Sequence, residues 1–417
     1  MTKREILEAA FRVWGADYYL KTSLSELAAS LGVTKPALYR HFGGKDELLE
    51  AMFNDFTARF SKFIKPYFGT PPPPPDNNED APSADSREPL YWKTRIINIA
   101  LKFAEFYARN RDCFIFSMIH VYGNDEHERL IFECLEGLGF GRRRPDASSF
   151  VMLEFVMCGM IFMTACFHKT NTFQKITHNE GQNIEEFLQT VEYFVKHGMG
   201  LNADTISHLD WEGIEREIIK TPFVQIDASQ AVKAAIKVIA EKGPWDATME
   251  KVAEKLGISK STMYSHFESK REMIKNVFLT EADGLTRFAL LHVSKTGTSE
   301  ECLYRAVFSI AHYLRENSDI LLALDHIRKR RSDIEKNIHE FEMREKQPKW
   351  HFQFYGIFNM IKNADGSALI NECRAEWIFF IVVNTLMRRS KTMPFSRIPN
   401  AVFRDMYRYI ALGLEAD

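Results

Sequence analysis

The residues best placed to do chemistry are donors, acceptors and cations set along one short stretch. If Leu38 and Phe42 turn inward on a helix, then Thr34, Lys35, Pro36, Ala37, Tyr39, Arg40 and His41 are left facing out, with Ser23 and Lys45 flanking them. Cations and hydroxyls on one short helix suit acceptors on base edges and phosphates, and Ala37 allows close approach. From Val33 to Lys45 there are three cations and no carboxylate. The chemistry implied is non-covalent recognition of double-stranded DNA. No catalytic constellation competes with it: the chain has no glycine-rich phosphate loop, no G-x-S-x-G elbow and no H-E-x-x-H. Six cysteines, at 113, 134, 158, 166, 302 and 373, show no CxxC spacing, and the histidines are scattered, so neither a metal nor a cofactor is expected.

Two helices and a turn must position these residues. Ser23 with Glu26 forms a capping box, and Leu24, Leu27, Ala28 and Leu31 give the helix it opens one apolar side. Gly32 ends that helix at a turn that demands positive φ, and Val33 plugs the angle. Thr34 is expected to cap the reader helix, with Pro36 harmless in its first turn. A preceding helix over 3–17, with Ile6, Ala10, Val13 and Trp14 on one side, supplies the third leg of a helix-turn-helix head.

These residues resemble the TetR family of transcriptional regulators, whose pattern runs here through Thr22, Leu27, Ala28, Gly32, Val33, Thr34, Leu38, Tyr39, His41, Phe42, Lys45 and Leu48. The stretch also occurs twice. Adding 225 carries Leu31, Gly32, Lys35, Tyr39, His41, Phe42, Lys45 and Glu47 onto Leu256, Gly257, Lys260, Tyr264, His266, Phe267, Lys270 and Glu272. Ala9, Ala10 and Val13 likewise match Ala234, Ala235 and Val238. A period this long signals duplicated domains. The second set of candidate DNA contacts is Thr248, Ser259, Lys260, Ser261, Thr262, Tyr264, Ser265, His266 and Lys270. The resemblance implies that Lys45 and Lys270 touch phosphate.

At 417 residues, 45% of them hydrophobic and 33 of them Phe, the chain exceeds one ordinary core, and few runs alternate as strands do. The expected fold is all-α: two tandem TetR-like units, each a three-helix head with a helical-bundle body for effector binding and dimerisation. The reading divides it as head 1–47, body 48–203, linker 204–227, head 228–272 and body 273–417. Residues 66–89, rich in proline and acid, read as an extended loop and passive spacer. The pairing offset falls from 225 to 207 beyond them, which makes this an insert of about 18 residues in the first copy. Body helices are expected over 90–109, 113–122, 125–138, 147–169, 184–200 and 373–389, with another at 210–220 in the linker. The stretch 150–167 has one charge, Glu154, and approaches the length of a membrane span. Arg374 and Glu376 in its counterpart favour instead a helix buried against its own body and a partner body, and no membrane contact is expected; the resemblance implies that the last two long helices of each unit pair in a four-helix bundle. The first body is paired at its end with the second by matching Gly200 and Leu201 to Gly413 and Leu414. The linker can span roughly 60 Å, so the copies can pair within one chain.

The resemblance implies a cytoplasmic, nucleoid-associated regulator that binds a DNA operator and is released by a small effector, apolar or amphipathic, lodged in a body. Candidate pocket residues are Phe114, Met118, Phe155, Met163, Phe354 and Trp377. Because the two readers differ, an asymmetric operator is expected, read by an intrachain pseudo-dimer, with a homodimer as the other arrangement. The alternative function is an effector-binding or protein-interaction scaffold of the same fold with weak DNA binding, allowed by the net charge of -2.

Overall fold

The computed structural model describes residues 2–16, 23–68, 84–120, 147–168, 183–223, 229–243, 246–293, 297–329, 356–362, 366–370 and 372–416. Among these the fold is all-α, with a single isolated bridge, Lys362 to Ala368, outside the helices. The first unit comprises α1 (Lys3–Ala16), α2 (Leu24–Ser30), α3 (Lys35–Tyr39), α4 (Lys45–Phe68), α5 (Ala84–Arg109), α6 (Arg111–His120), α7 (Ala147–Phe167) and α8 (Ile184–His197). Two connecting helices follow, α9 (Ala203–Ser207) and α10 (Trp211–Lys220). The second unit comprises α11 (Gln230–Lys242), α12 (Met249–Leu256), α13 (Lys260–His266), α14 (Lys270–Val293), α15 (Ser299–Glu316), α16 (Ser318–Lys329), α17 (Glu372–Ser390) and α18 (Asn400–Leu412).

The repeat seen in the sequence carries through to the helices. Helices α2, α3 and α4 begin 225 residues before α12, α13 and α14, and α4 and α14 are both 24 residues long. Beyond the insert, α6 begins 207 residues before α16. Helix enters the 66–89 stretch from both sides, since Pro66 lies in the last turn of α4 and α5 opens at Ala84. The expected helix at 125–138, like Phe354, lies outside the described residues.

Each head stands on its body in the same way. In the first, α1 packs on α2, α4 and α6; in the second, α11 packs on α12, α14 and α16. Ile6, Ala9, Ala10 and Phe11 make the buried face of α1, so Ala9 and Phe11 join the expected Ile6 and Ala10, while Val13 is only half-buried. Body one gathers α7 and α8 around α5, and body two gathers α14, α17 and α18 around α15.

The two bodies then meet. Helix α7 of the first unit packs on α17 and α18 of the second, and α8 packs on α18. Phe155 lies near Phe194, Trp377 and Tyr409, with ring centroids 5.3, 5.8 and 6.0 Å away, and Phe194 meets Trp377 edge-on at 4.9 Å. Apolar pairing of this kind explains the nearly uncharged α7: one face serves its own body and the other the neighbouring unit. Glu154, its one carboxylate, is buried there and accepts a hydrogen bond from Thr385 Oγ1 at 2.8 Å. No helix among the described residues is long and apolar enough to cross a membrane. In the structure the counterpart of Gly413 is Gly198 rather than Gly200, because each follows the last residue of its helix at positive φ and each backbone crosses the other.

The connection between the units is a docked part of body two. Helices α9 and α10 pack on α15, with Ile206, Ile214, Glu215 and Ile218 buried. Trp211 meets Tyr304 and Tyr407 edge-on at 4.6 and 5.7 Å. Glu215 accepts from Tyr304 Oη at 2.6 Å, from Asn400 Nδ2 at 2.9 Å and from both Nε and Nη2 of Arg404. Under this cover α15 is buried at every residue from Leu303 to Arg315. In α5, Asn98 is exposed, and Lys102 and Arg109 pair with Glu105 at 2.7 and 3.0 Å.

Candidate nucleic-acid interface

The head is built to hold α3 and α13 rigidly while leaving one side open. In the first copy the capping box forms as the sequence predicts: Glu26 N–H donates to Ser23 Oγ at 3.2 Å, and the Glu26 carboxylate returns to the Ser23 amide. In the second copy Thr248 caps α12 by accepting from Lys251 N–H at 3.3 Å, with Lys251 replacing the box glutamate. Both helices end on a left-handed glycine, Gly32 at φ 66° and Gly257 at φ 69°. An added Cβ would meet nothing within 4 Å at either, so the requirement is conformational rather than one of space. Val33 N–H and Ile258 N–H then donate back to Ala28 O at 2.9 Å and Ala253 O at 3.0 Å, fixing the same turn in both heads.

The reader helices differ in how they start. Thr34 stands at the N-cap position with extended backbone, but its side chain makes no cap bond, against the sequence expectation. With Pro36 in the first turn one amide that would seek a cap is already absent. Ser259 does cap α13, accepting from Thr262 N–H at 3.1 Å. Leu38 and Phe42 in one copy, and Met263 and Phe267 in the other, are buried and turn the opposite face outward.

On that face Ser23, Thr34, Lys35, Pro36 and Arg40 are exposed, while Ala37, His41 and Lys45 are half-buried. Tyr39 is 45% exposed and Tyr264 47%, unusual for an aromatic that has a nearby core to join, and consistent with a contact surface. Ser259, Lys260, Ser261, Thr262, Ser265 and His266 are exposed in the second head, with Thr248 and Lys270 half-buried. Every sequence-predicted residue of both sets is thus exposed or half-buried, none of them in the core. Five of the six pocket candidates lie among the described residues. Phe155 and Trp377 meet where the units join, and Phe114 packs on Tyr107 and His168 at 5.5 and 5.6 Å. Met118 and Met163 are partly buried against the core.

Electrostatics separates the heads further. Lys35 lies over its own Tyr39 ring at 5.8 Å, with no ion pair among the described residues. Lys260, at the same position in the second head, pairs with the Glu250 carboxylate. That contact, helped by the backbone amide of Glu250 and the Thr248 hydroxyl, holds the Glu250 carboxyl at about 2 and raises the Lys260 ammonium. Lys255 pairs with Glu241, lowering that carboxyl, and Lys251 Nζ donates to Asp246 O at 2.8 Å. Partial burial lowers the Lys270 ammonium, with Asp246 acting the other way. Sequence reasoning missed Glu250, although a signal existed: it stands where the first head has Ser25.

Comparison with known proteins agrees with this geometry. The family model for "Bacterial regulatory proteins, tetR family" matches residues 6–52 and again 231–277, which are the two heads with the first turns of α4 and α14. One relative, the "Biofilm operon icaADBC HTH-type negative transcriptional regulator IcaR" of Staphylococcus aureus strain Newman, is 27% identical over 82 residues. Its namesake in strain COL matches to the same degree. The aligned part is 20% of this chain and spans 44% of the length of these relatives. Carrying a domain that matches the tetR family model at the head of both halves, the chain is built as two TetR-like units in tandem.

Proposed function

We propose that this chain is a sequence-specific DNA-binding transcriptional regulator, a repressor, whose two unlike heads read an asymmetric operator as a pseudo-dimer within one chain. The observation that carries the reading is that one scaffold, repeated helix for helix, presents Lys35, Pro36, Ala37 and Arg40 in the first head and Lys260, Ser261, Thr262 and Ser265 in the second. Side chains at these positions of a reader helix reach base edges in the major groove, so unlike residues select unlike half-sites. The packing of α7 and α8 on α17 and α18 supports pairing in one chain, and the relatives' description as negative regulators supports repression.

The bodies supply the switch. DNA requires reader helices about one helical turn, ~34 Å, apart, and a small apolar or amphipathic effector that prefers another spacing would release it. Helices α6 and α16 connect body to head in each unit and are the route for that coupling. The protein works in the cytoplasm, on the nucleoid.

Selection of the purified protein against a randomised duplex library, with chain stoichiometry measured on the winning duplex, tests this. A bipartite asymmetric site bound by one chain is the expected result. A palindrome bound by two chains would replace the intrachain pairing by a homodimer. A second reading, a scaffold that binds an effector or protein with little affinity for DNA, is favoured by the engagement of Lys260 with Glu250 and would follow from no enrichment even at low salt.

A further inference from the structure

The two heads offer DNA the same lysine under different conditions. Lys35 and Lys260 occupy one position of the repeat, at the first residue of α3 and of α13. On the helix before the turn, the residue facing Lys260 is Glu250, and its counterpart in the first head is Ser25. Further along the reader, Ser265 stands where the first head has Arg40. Besides Tyr264 and His266, the outward groups at α13 are hydroxyls already engaged locally: Ser259 Oγ lies 2.7 Å from Ser261 Oγ and 2.8 Å from Thr262 Oγ1, and Ser265 Oγ donates to the Thr262 backbone carbonyl at 2.6 Å.

We propose that Glu250 competes with the DNA backbone for Lys260, which makes the second head a restrained reader and Glu250 a determinant of specificity. The inference rests on the reading of the chain as a DNA-binding regulator. A phosphate can take Lys260 only by separating it from Glu250, and the carboxylate left behind then repels the same phosphate. Non-specific attraction, which comes from backbone neutralisation, is therefore small for this head. It engages where base edges satisfy the hydroxyls of Ser261 and Thr262 and offset the lost ion pair. Among the described residues Lys35 and Arg40 make no such ion pair, so the first head anchors the chain on any duplex and the second decides among sequences.

The test uses the full chain and two duplexes of equal length, the library-selected site and a scrambled one, with affinity measured across salt concentrations. Glu250 is exposed on a helix surface, and Glu250→Gln keeps its shape while removing the charge. The expected result is scrambled-duplex binding about threefold tighter, of the size a surface ion pair controls. Its salt slope should steepen by about 0.9, one further phosphate neutralised. The ratio of selected to scrambled affinity should fall. Glu250→Ser, which installs the first head's residue, should act alike, and adding Lys260→Ala should cancel the gain. Unchanged affinity and slope in Glu250→Gln, with Lys35→Ala still weakening binding, would overturn the restraint and leave the DNA-binding reading standing. Failure of the unsubstituted chain to bind either duplex at low salt would instead remove that reading, and the restraint with it.

Discussion

Gly198, at the end of α8, and Gly413, at the end of α18, touch backbone to backbone across the two units. A Cβ on Gly198 would lie 2.6 Å from the Gly413 nitrogen, and one on Gly413 would lie 2.5 Å from the Gly198 nitrogen. Both have positive φ, 58° and 65°. Beside them Met199 N–H donates to Ile410 O at 2.9 Å and Leu201 N–H to Ala411 O at 3.1 Å. Two helix ends cross here at a distance only backbone allows.

Gly198→Ala and Gly413→Ala should each destabilise the chain by roughly 2–4 kcal/mol, combining left-handed strain with displacement of the opposing stretch of backbone. Urea denaturation measures this. An alanine of unchanged midpoint at either position would mean the units do not cross as described.

Glu154 carries a second prediction about the same contact. Burial holds its carboxyl above the ordinary carboxylate range, against the pull of Arg388, the Thr385 hydroxyl and Arg389. A carboxyl raised on folding binds more protons in the native state, so stability should fall as pH rises from the unfolded value through the folded one. Glu154→Gln keeps the shape and removes the ionisation. It should flatten that decline and equal or exceed the parent in stability at neutral pH, as thermal melts across pH would record.

Glu215 predicts the reverse sign in the connecting helix. Burial alone would raise its carboxyl, but hydrogen bonds from Arg404, Tyr304 and Asn400 outweigh it and lower the value. The stability this contributes is present above the ordinary carboxylate range and is lost as pH falls through the folded value. Arg404→Ala leaves a buried carboxylate short of its main partner and should cost about 2–4 kcal/mol, Arg404 itself being partly exposed. Proteolysis within 203–223 should accelerate in that variant. Equal protection in both proteins would show that α10 is held by Trp211 and its apolar face alone.

The readers separate phosphate from base contacts. Lys45→Ala, in the head that anchors the chain on any duplex, should weaken binding to all sequences alike and reduce the salt slope by about 0.9. Ser261→Ala or Thr262→Ala should change the preference of one half-site by about 1–3 kcal/mol while leaving the other untouched. Uniform loss from the hydroxyl variants would remove α13 from the groove.

Much of this is legible in the chain because it depends on local spacing. The capping box at Ser23 and Glu26, the left-handed turns at Gly32 and Gly257 and the inward Leu38 and Phe42 are decided within a few residues. The constant offset of 225 between matching residues reveals the duplication directly. What local spacing cannot carry is the identity of a partner far along the chain. The meeting of Phe155 and Trp377 joins rings 222 residues apart, and no spacing within either helix points to it. The linker reads only as a connection with a short helix, because an amphipathic helix does not announce what it covers; Glu215 finds its partners in Tyr304, Asn400 and Arg404 only once body two has folded. Lys260 looks equivalent to Lys35 until the turn brings Glu250 against it. By itself, then, the sequence determined the two heads, their repeat and the helical class, through periodicity and turn chemistry. The tertiary structure alone decided which apolar faces and which charges meet, since those contacts depend on long-range packing that no local pattern encodes.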